Sequence, residues 1–246
     1  MTSMKILAID TSNQPMNIAL VEDEQLLAQT TLKMVKNHSV YVLPVMDTLM
    51  QQVNWEPQDL DRVVVAAGPG SYTGVRIAVT TAKTLAATLK IELVVVSSLA
   101  VLARNVPAIT EAVIVPFFDA RRGTAFVGRY QWQGDQLTSL VADHHVELQQ
   151  EIAALGELAQ PVWLVGEVTP KLAPVLADLP ANVHLLGAVW ATPNPYQVAL
   201  AGQGEAPVAD IDAVVPRYLR QTEAEMNWYH DHPDADPLAN DYVKKV

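Results

Sequence analysis

The chain has 246 residues, half of them apolar and 17% charged, with 27 acidic side chains against 16 basic ones and a formal net charge of -11. That balance excludes a disordered chain, and the short apolar runs exclude a membrane span of about 18 residues or more. An acidic chain lacks the broad electropositive surface that grips nucleic acid unaided, and the absence of cysteine excludes disulfides, thiolate metal sites and a thiol nucleophile.

Residues 4–9 form a short apolar run ending in Asp10, read as a first strand rather than a signal peptide, which fits a cytoplasmic protein. Strands are predicted over 16–21 and 25–32, separated by Asn13-Gln14-Pro15 and Glu22-Asp23-Glu24. From 39 to 53 the period changes to that of a helix, with Val42, Leu43, Val45, Met46, Leu49, Met50 and Val53 across an arc of roughly 160°. A buried strand over 62–67, a helix over 73–89, a strand over 92–96 and a short helix over 97–104 follow.

The second half repeats this order. Residues 112–118 are apolar and end in Asp119, strands follow over 124–131 and 136–148, and a helix follows over 149–158. A strand over 161–165, a helix over 170–179, a strand over 182–186 and a last helix over 195–202 complete it. Aligning Asp10 with Asp119 gives a period of 109 residues, too long for a solenoid and fitting a duplicated α/β domain. The expected division is 1–107, 108–222 and an acidic tail, 223–246, which carries -4 of the net charge and has room for a short helix near 223–228.

The loop Gly68-Pro69-Gly70-Ser71-Tyr72-Thr73-Gly74 joins a buried strand to a helix, where backbone amides and the helix dipole can hold an anion. No lysine follows its last glycine, so it is not a P-loop. Glycines here also serve a tight turn, a close helix–sheet approach, and capping by Ser71 or Thr73. Asp10, with Thr11 and Ser12 beside it, and Asp119 are placed where carboxylates orient hydrated magnesium facing a nucleotide, or where they simply cap turns. No histidine pair has the i, i+4 spacing of a helical metal site, and no Gly-x-Ser-x-Gly nucleophile elbow occurs. These residues leave open a nucleotide-dependent kinase or ATPase using Asp10, Asp119 and the Gly68–Gly74 loop.

The two main helices carry another signal. On 73–89 the side chains of Val75, Ala78, Val79, Ala82, Leu85, Ala86 and Leu89 form a packing arc, while Arg76 and Lys83, seven residues apart, stand beside a short-chained, weakly polar surface of Ile77, Thr80, Thr81, Thr84 and Thr88. A Thr/Ala face beside a helix with a 160° apolar arc points to two helices offered to a partner, the alternative being two layers of one core. A charge at Ala82 or Val42, whichever is exposed, should then abolish association.

Ile-Leu-Ala-Ile-Asp10-Thr-Ser, His38-Ser39 before a helix, Ala67-Gly68-Pro69-Gly70-Ser71-Tyr72-Thr73-Gly74-Val75-Arg76, and Pro216-Arg217-Tyr218-Leu219-Arg220 together resemble the bacterial TsaB family of the tRNA threonylcarbamoyladenosine pathway, from residue 4 to about 220. The resemblance implies two ribonuclease-H-like halves of the actin-like ATPase (ASKHA) fold, each a mixed five-stranded sheet with helices. Its catalytic paralogue, TsaD, transfers threonylcarbamoyl to the adenosine beside the anticodon of tRNAs reading ANN codons, and binds metal through a His-His-Met-Glu-x-His segment. Aligned through the glycine loop, that segment falls on residues 97–102, placing Ser98 and Leu102 where imidazoles are needed. The resemblance therefore implies a non-catalytic scaffold that holds no metal or cofactor alone, any nucleotide lying at a complex interface. It also implies docking to TsaD, recruitment of the ATPase TsaE, a homodimer when TsaD is missing, and only indirect contact with tRNA. The broad apolar arc and the Thr/Ala surface then make His38, Val42, Leu43, Val45, Met46 and Leu49 on the first helix and Arg76, Ile77, Thr80, Thr81, Lys83 and Thr84 on the second the expected docking residues. Arg217, Tyr218 and Arg220 either brace the halves or touch a partner, and the older description of the family as peptidases has no chemical support here.

Overall fold

The computed structural model describes residues 3–33, 37–108, 111–220, 228 and 231–232. β1 (Lys5–Asp10), β2 (Pro15–Glu22) and β3 (Gln25–Lys33) form an antiparallel meander, followed by α1 (His38–Gln52), β4 (Arg62–Ala66), α2 (Tyr72–Leu89), β5 (Glu92–Val96) and α3 (Ser98–Ala103). Then come β6 (Val113–Asp119), β7 (Thr124–Gln133), β8 (Gln136–Glu147), α4 (Leu148–Gly156), β9 (Val162–Val165), β10 (Val183–Leu185) and α5 (Pro195–Gln203). Single 3-10 turns lie at Pro57–Asp59 and Ala188–Trp190.

The strands make two five-stranded sheets, β3-β2-β1-β4-β5 and β8-β7-β6-β9-β10, identical in order. In each, the hairpins pair antiparallel and the crossover strands pair parallel. This is the duplicated α/β architecture that the sequence implied, with Asp10 and Asp119 ending equivalent strands. Period-two alternation on β1 sends Leu7 and Ile9 to the α1/α2 side of the first sheet and Ile6 and Ala8 to the other.

Two helices depart from the simple repeat. α5 covers the outer face of the first sheet, where Val198 and Ala199 pack with Ile6, Ala8 and Val64. α3 lies against the second sheet, where Leu99, Leu102 and Ala103 pack with Ile114, Phe118 and Tyr130. Each half therefore lends a helix to the other's core. Arg62 anchors the exchange: almost fully buried, its guanidinium donates to the carbonyls of Gly202 and Gln203 at 2.8 and 2.7 Å, closing the end of α5, and bonds Glu92 at 2.8 Å.

The helix expected over 170–179 is absent; residues 170–176 form successive turns instead. Pro174 has no N–H to donate to residue 170, and the apolar pattern survives as Leu172 and Leu176 packed on the second sheet. The acidic tail and its expected helix lie outside the described residues, apart from positions 228, 231 and 232. Among the described residues no helix is long and apolar enough to cross a membrane.

Candidate docking face and interdomain cleft

At both strand ends the carboxylate caps a turn. The Ser12 amide donates to Asp10 Oδ1 at 2.8 Å, and the Arg121 amide donates to Asp119 Oδ1 at 2.7 Å. The second oxygen of Asp119 accepts from Thr169 Oγ1 at 2.7 Å. Asp10 is sealed from solvent, and burial pushes its carboxyl above the usual range against smaller opposing effects of Ser12, Asn17 and His38. Asp10 Oδ2, Ser12 Oγ and Asn17 Nδ2 are buried atoms without hydrogen-bond partners.

The glycine loop closes directly over this strand end. The Ser71 amide donates to the Ser12 carbonyl at 2.6 Å and Thr11 Oγ1 donates to the Gly74 carbonyl at 2.7 Å. A Cβ at Gly70 would lie 2.2 Å from Ser12 O, and one at Gly74 would lie 2.0 Å from Thr11 O. Those glycines are needed for backbone to meet backbone. Ser71 caps α2 by accepting from the Gly74 amide at 3.3 Å. The Gly68 amide goes to Ser98 Oγ at 3.0 Å, which fixes this loop on α3.

Asp10 is enclosed and held toward its neutral form, both oxygens of Asp119 are engaged, and the glycines' free space is filled by the chain itself. At the positions aligned with metal ligands, Ser98 is buried against Gly68 and Leu102 is core. Among the described residues no group of three or more His, Asp or Glu side chains is placed to hold a metal.

The helix faces divide differently from the sequence reading. Met46 and Leu49 point into the first core, which corrects their assignment as docking residues; Val42 is buried in the same core and only floors the groove between the helices, and Val45 is half-buried. Ala82 is fully buried, so neither Ala82 nor Val42 is the exposed position for a charge test. Lys83 is drawn inward as well: its Nζ donates to the carbonyls of Asp212 and Val214, both at 2.8 Å, and holds the C-terminal segment on α2. His38 bonds the Gln14 carbonyl through Nε2 at 2.9 Å, tying α1 to the β1–β2 turn.

The outward residues are Leu43, Arg76, Thr80 and Thr84, with Ile77 and Thr81 partly exposed. Sequence reasoning missed Val40, Tyr41 and Tyr72, which are 61%, 45% and 43% exposed beside Leu43 at 55%. Large apolar side chains in the first turn of each helix, outside its packing arc, were the signal available. Between the helices runs a groove of about 440 Å³ lined by Ser39, Val42, Leu43, Tyr72, Thr73, Arg76, Ile77, Thr80 and Thr81. Arg76 lies over the Tyr72 ring at 5.4 Å, and the opposite ring partner is Tyr218, stacked at 4.6 Å.

The C-terminal segment behind that stack bridges the halves. The Arg217 amide donates to Ala67 O at 2.7 Å and its guanidinium lies 3.6 Å from Asp143 of β8. Asp143 also accepts from Ser97 Oγ at 2.6 Å and from Tyr130 Oη, while burial, reinforced by this carboxylate, raises the Tyr130 hydroxyl above its ordinary value. Arg220 donates to the Ala120 carbonyl. Arg217 and Arg220 thus act as braces, with Tyr218 stacked on Tyr72 of the groove.

The TsaD family model, tRNA N6-adenosine threonylcarbamoyltransferase, matches residues 25–228. The tRNA threonylcarbamoyladenosine biosynthesis protein TsaB of Bacillus subtilis (strain 168) is 42% identical over 226 residues, spanning 92% of this chain and 98% of that protein. Its counterpart in Escherichia coli (strain K12) is 28% identical over 156 residues, spanning 60% and 67% respectively. A solved structure of YeaZ from Pseudomonas aeruginosa has the same fold, with a TM-score of 0.73 at 24% identity over 88% of this chain and 100% of that one. With near-complete coverage at that identity to the Bacillus protein, the chain belongs to the TsaB family of tRNA threonylcarbamoyladenosine biosynthesis proteins, within the wider group that the TsaD model describes.

Proposed function

We propose that this chain serves tRNA threonylcarbamoyladenosine formation as a non-catalytic scaffold that docks a TsaD-type transferase on the α1/α2 face. The observation that carries the reading is an apolar groove flanked by Val40, Tyr41, Leu43 and Tyr72, on a chain whose glycine loop and aspartates are committed to internal contacts. Exposed apolar side chains of this size at one groove are the usual anchors of a protein interface. Recruitment of a TsaE-type ATPase follows on the assembled pair, and the same face joins two copies of this chain when the transferase is absent.

The test is size-exclusion chromatography with light scattering on this chain alone, with its TsaD-type paralogue, and with that paralogue, the ATPase and ATP. The expected series is homodimer, one-to-one heterodimer, then a larger nucleotide-dependent assembly. Leu43→Glu should weaken heterodimer formation at least tenfold, because it introduces an unpaired charge into the interface, with no loss of unfolding temperature since the residue is outside the core. Wild-type affinity in both Leu43→Glu and Thr80→Arg would remove the α1/α2 face from consideration.

A further inference from the structure

Large apolar side chains exposed to solvent are unevenly spread over this molecule. Ten stand out among the described residues, and six of them, Val40, Tyr41, Leu43, Tyr72, Val215 and Tyr218, lie on α1, α2 and the segment 208–218. The other four are scattered between residues 140 and 189 of the second half. Val215, at 70%, is the most exposed of the six, although its backbone is firmly held. The Val208 amide donates to the Leu93 carbonyl at 2.9 Å on β5, and Ile211 and Val214 pack on the first core. Lys83 Nζ then holds the carbonyls of Asp212 and Val214, and the Arg217 amide bonds the Ala67 carbonyl. A β-branched side chain on such a strap has little freedom left to lose when it meets another surface.

The position of the strap follows from the helix it lies along. At about 100° per residue, Ile77 and Thr81 fall on the flank of α2 that faces the groove shared with α1, while Tyr72 and Lys83 fall roughly 150° round from them. Both of the latter touch the strap, Lys83 through the Val214 carbonyl and Tyr72 through the ring of Tyr218. Arg76, Thr80 and Thr84 lie between the two flanks and point outward. The exposed surface therefore crosses three strips in order: α1, the outer face of α2, and the strap. Tyr72 joins them, since it lines the groove and also stacks on Tyr218.

Size separates a two-strip face from a three-strip one. The 18 residues of α2 span about 27 Å, and two packed helices about 9 Å apart present a strip roughly 20 Å wide, or about 500 Å². A stable interface covers about 800 Å² on each partner, which a third strip of roughly 10 Å supplies. We propose that the strap is the third strip of the docking face, with Val215 as its apolar anchor, and that the transferase seated on α1/α2 also rests on it. This inference depends on the docking reading given above and extends it. Arg217 and Arg220 belong to the same strap, so the docked partner bears directly on the segment that braces the two halves.

The test is calorimetry of the full chain with its TsaD-type paralogue, comparing the wild type with Leu43→Glu, Val215→Glu and Val189→Glu. Val189, 83% exposed on the 3-10 turn Ala188–Trp190, controls for the added charge at a site away from all three strips. Val215→Glu should bind at least fivefold more weakly, with an unchanged unfolding temperature, and Val189→Glu should bind as the wild type does. Wild-type affinity in Val215→Glu beside a weakened Leu43→Glu would overturn the strap's role and leave docking on the helices intact. Wild-type affinity in Leu43→Glu, Thr80→Arg and Val215→Glu together would instead remove the docking reading, and this inference with it. Light scattering on each variant alone covers the remaining occupant: a homodimer lost in Val215→Glu while transferase affinity is unchanged would assign the strap to a second copy and overturn the proposal.

Discussion

At position 10 a carboxylate ends a strand, accepts the amide two residues on and disappears beneath the glycine loop; at position 119 its counterpart makes the same turn in partial contact with solvent. Their shared function is to terminate a strand, and their difference is burial. For Asp10 this sets a pH signature. Below its ordinary value of 3.8 the group is protonated in both folded and unfolded chains and contributes nothing to the pH dependence. Between that value and the raised folded one, the unfolded chain ionises while the folded chain resists, so stability falls as pH rises and then levels. Asp10→Asn retains an acceptor for the Ser12 amide and should remove this part of the profile. Thermal unfolding between pH 4 and 7.5 should show the wild type losing more stability than the variant on the way up; parallel curves would mean that Asp10 ionises as readily folded as unfolded.

Among the elements, strands and helices were legible where pattern and punctuation agreed. The expected and observed limits of α2 differ by one residue, because Ser71 and Gly74 mark its start and Lys90, in the left-handed conformation, ends it. The segment 170–179 read as a helix because Leu172 and Leu176 recur at helical spacing, a pattern that a run of turns over an apolar surface reproduces. On α1 the apolar arc was legible but its division was not: Val42, Met46 and Leu49 face the core and Val40, Tyr41 and Leu43 face outward. Periodicity ranks residues around a helix; which part of a broad apolar arc is inside depends on what lies beneath it. Packing partners distant in sequence were equally hidden, as with Arg62, which reads as an ordinary first residue of a strand and in fact closes the end of a helix 140 residues away. Arg62→Met should cost about 3 kcal/mol, since it strands helix-end carbonyls that no water reaches easily. A fall in the urea midpoint with an unchanged slope checks it.

On the scale of the molecule, the exchange of α3 and α5 makes the halves interdependent. The duplicated strand order was visible in the sequence from the two aspartates and the matched hairpins. That each half's last helix crosses to the other sheet was not, since neither helix carries a mark of which sheet it covers. A fragment of residues 1–107 lacks the cover of Val198 and Ala199 over its outer face and carries Leu99, Leu102 and Ala103 with no sheet to bury them. It should remain unfolded or aggregate, as read by circular dichroism and light scattering, whereas the full chain should unfold in one cooperative transition. Two separate transitions in the full chain would mean that the crossed helices hold less tightly than their burial implies.

The register of β1 has a practical consequence for any experiment that watches this protein bind. Met4 is tied to Asp23 at one end of that strand, while the glycine loop, Arg217 and the α1/α2 groove gather at the other end. Six residues of extended chain separate the ends by about 20 Å. A fluorophore or surface tether attached at Ser3 therefore stands well clear of the groove. One attached at Tyr72 or Leu43 would sit in the groove itself and report its own obstruction.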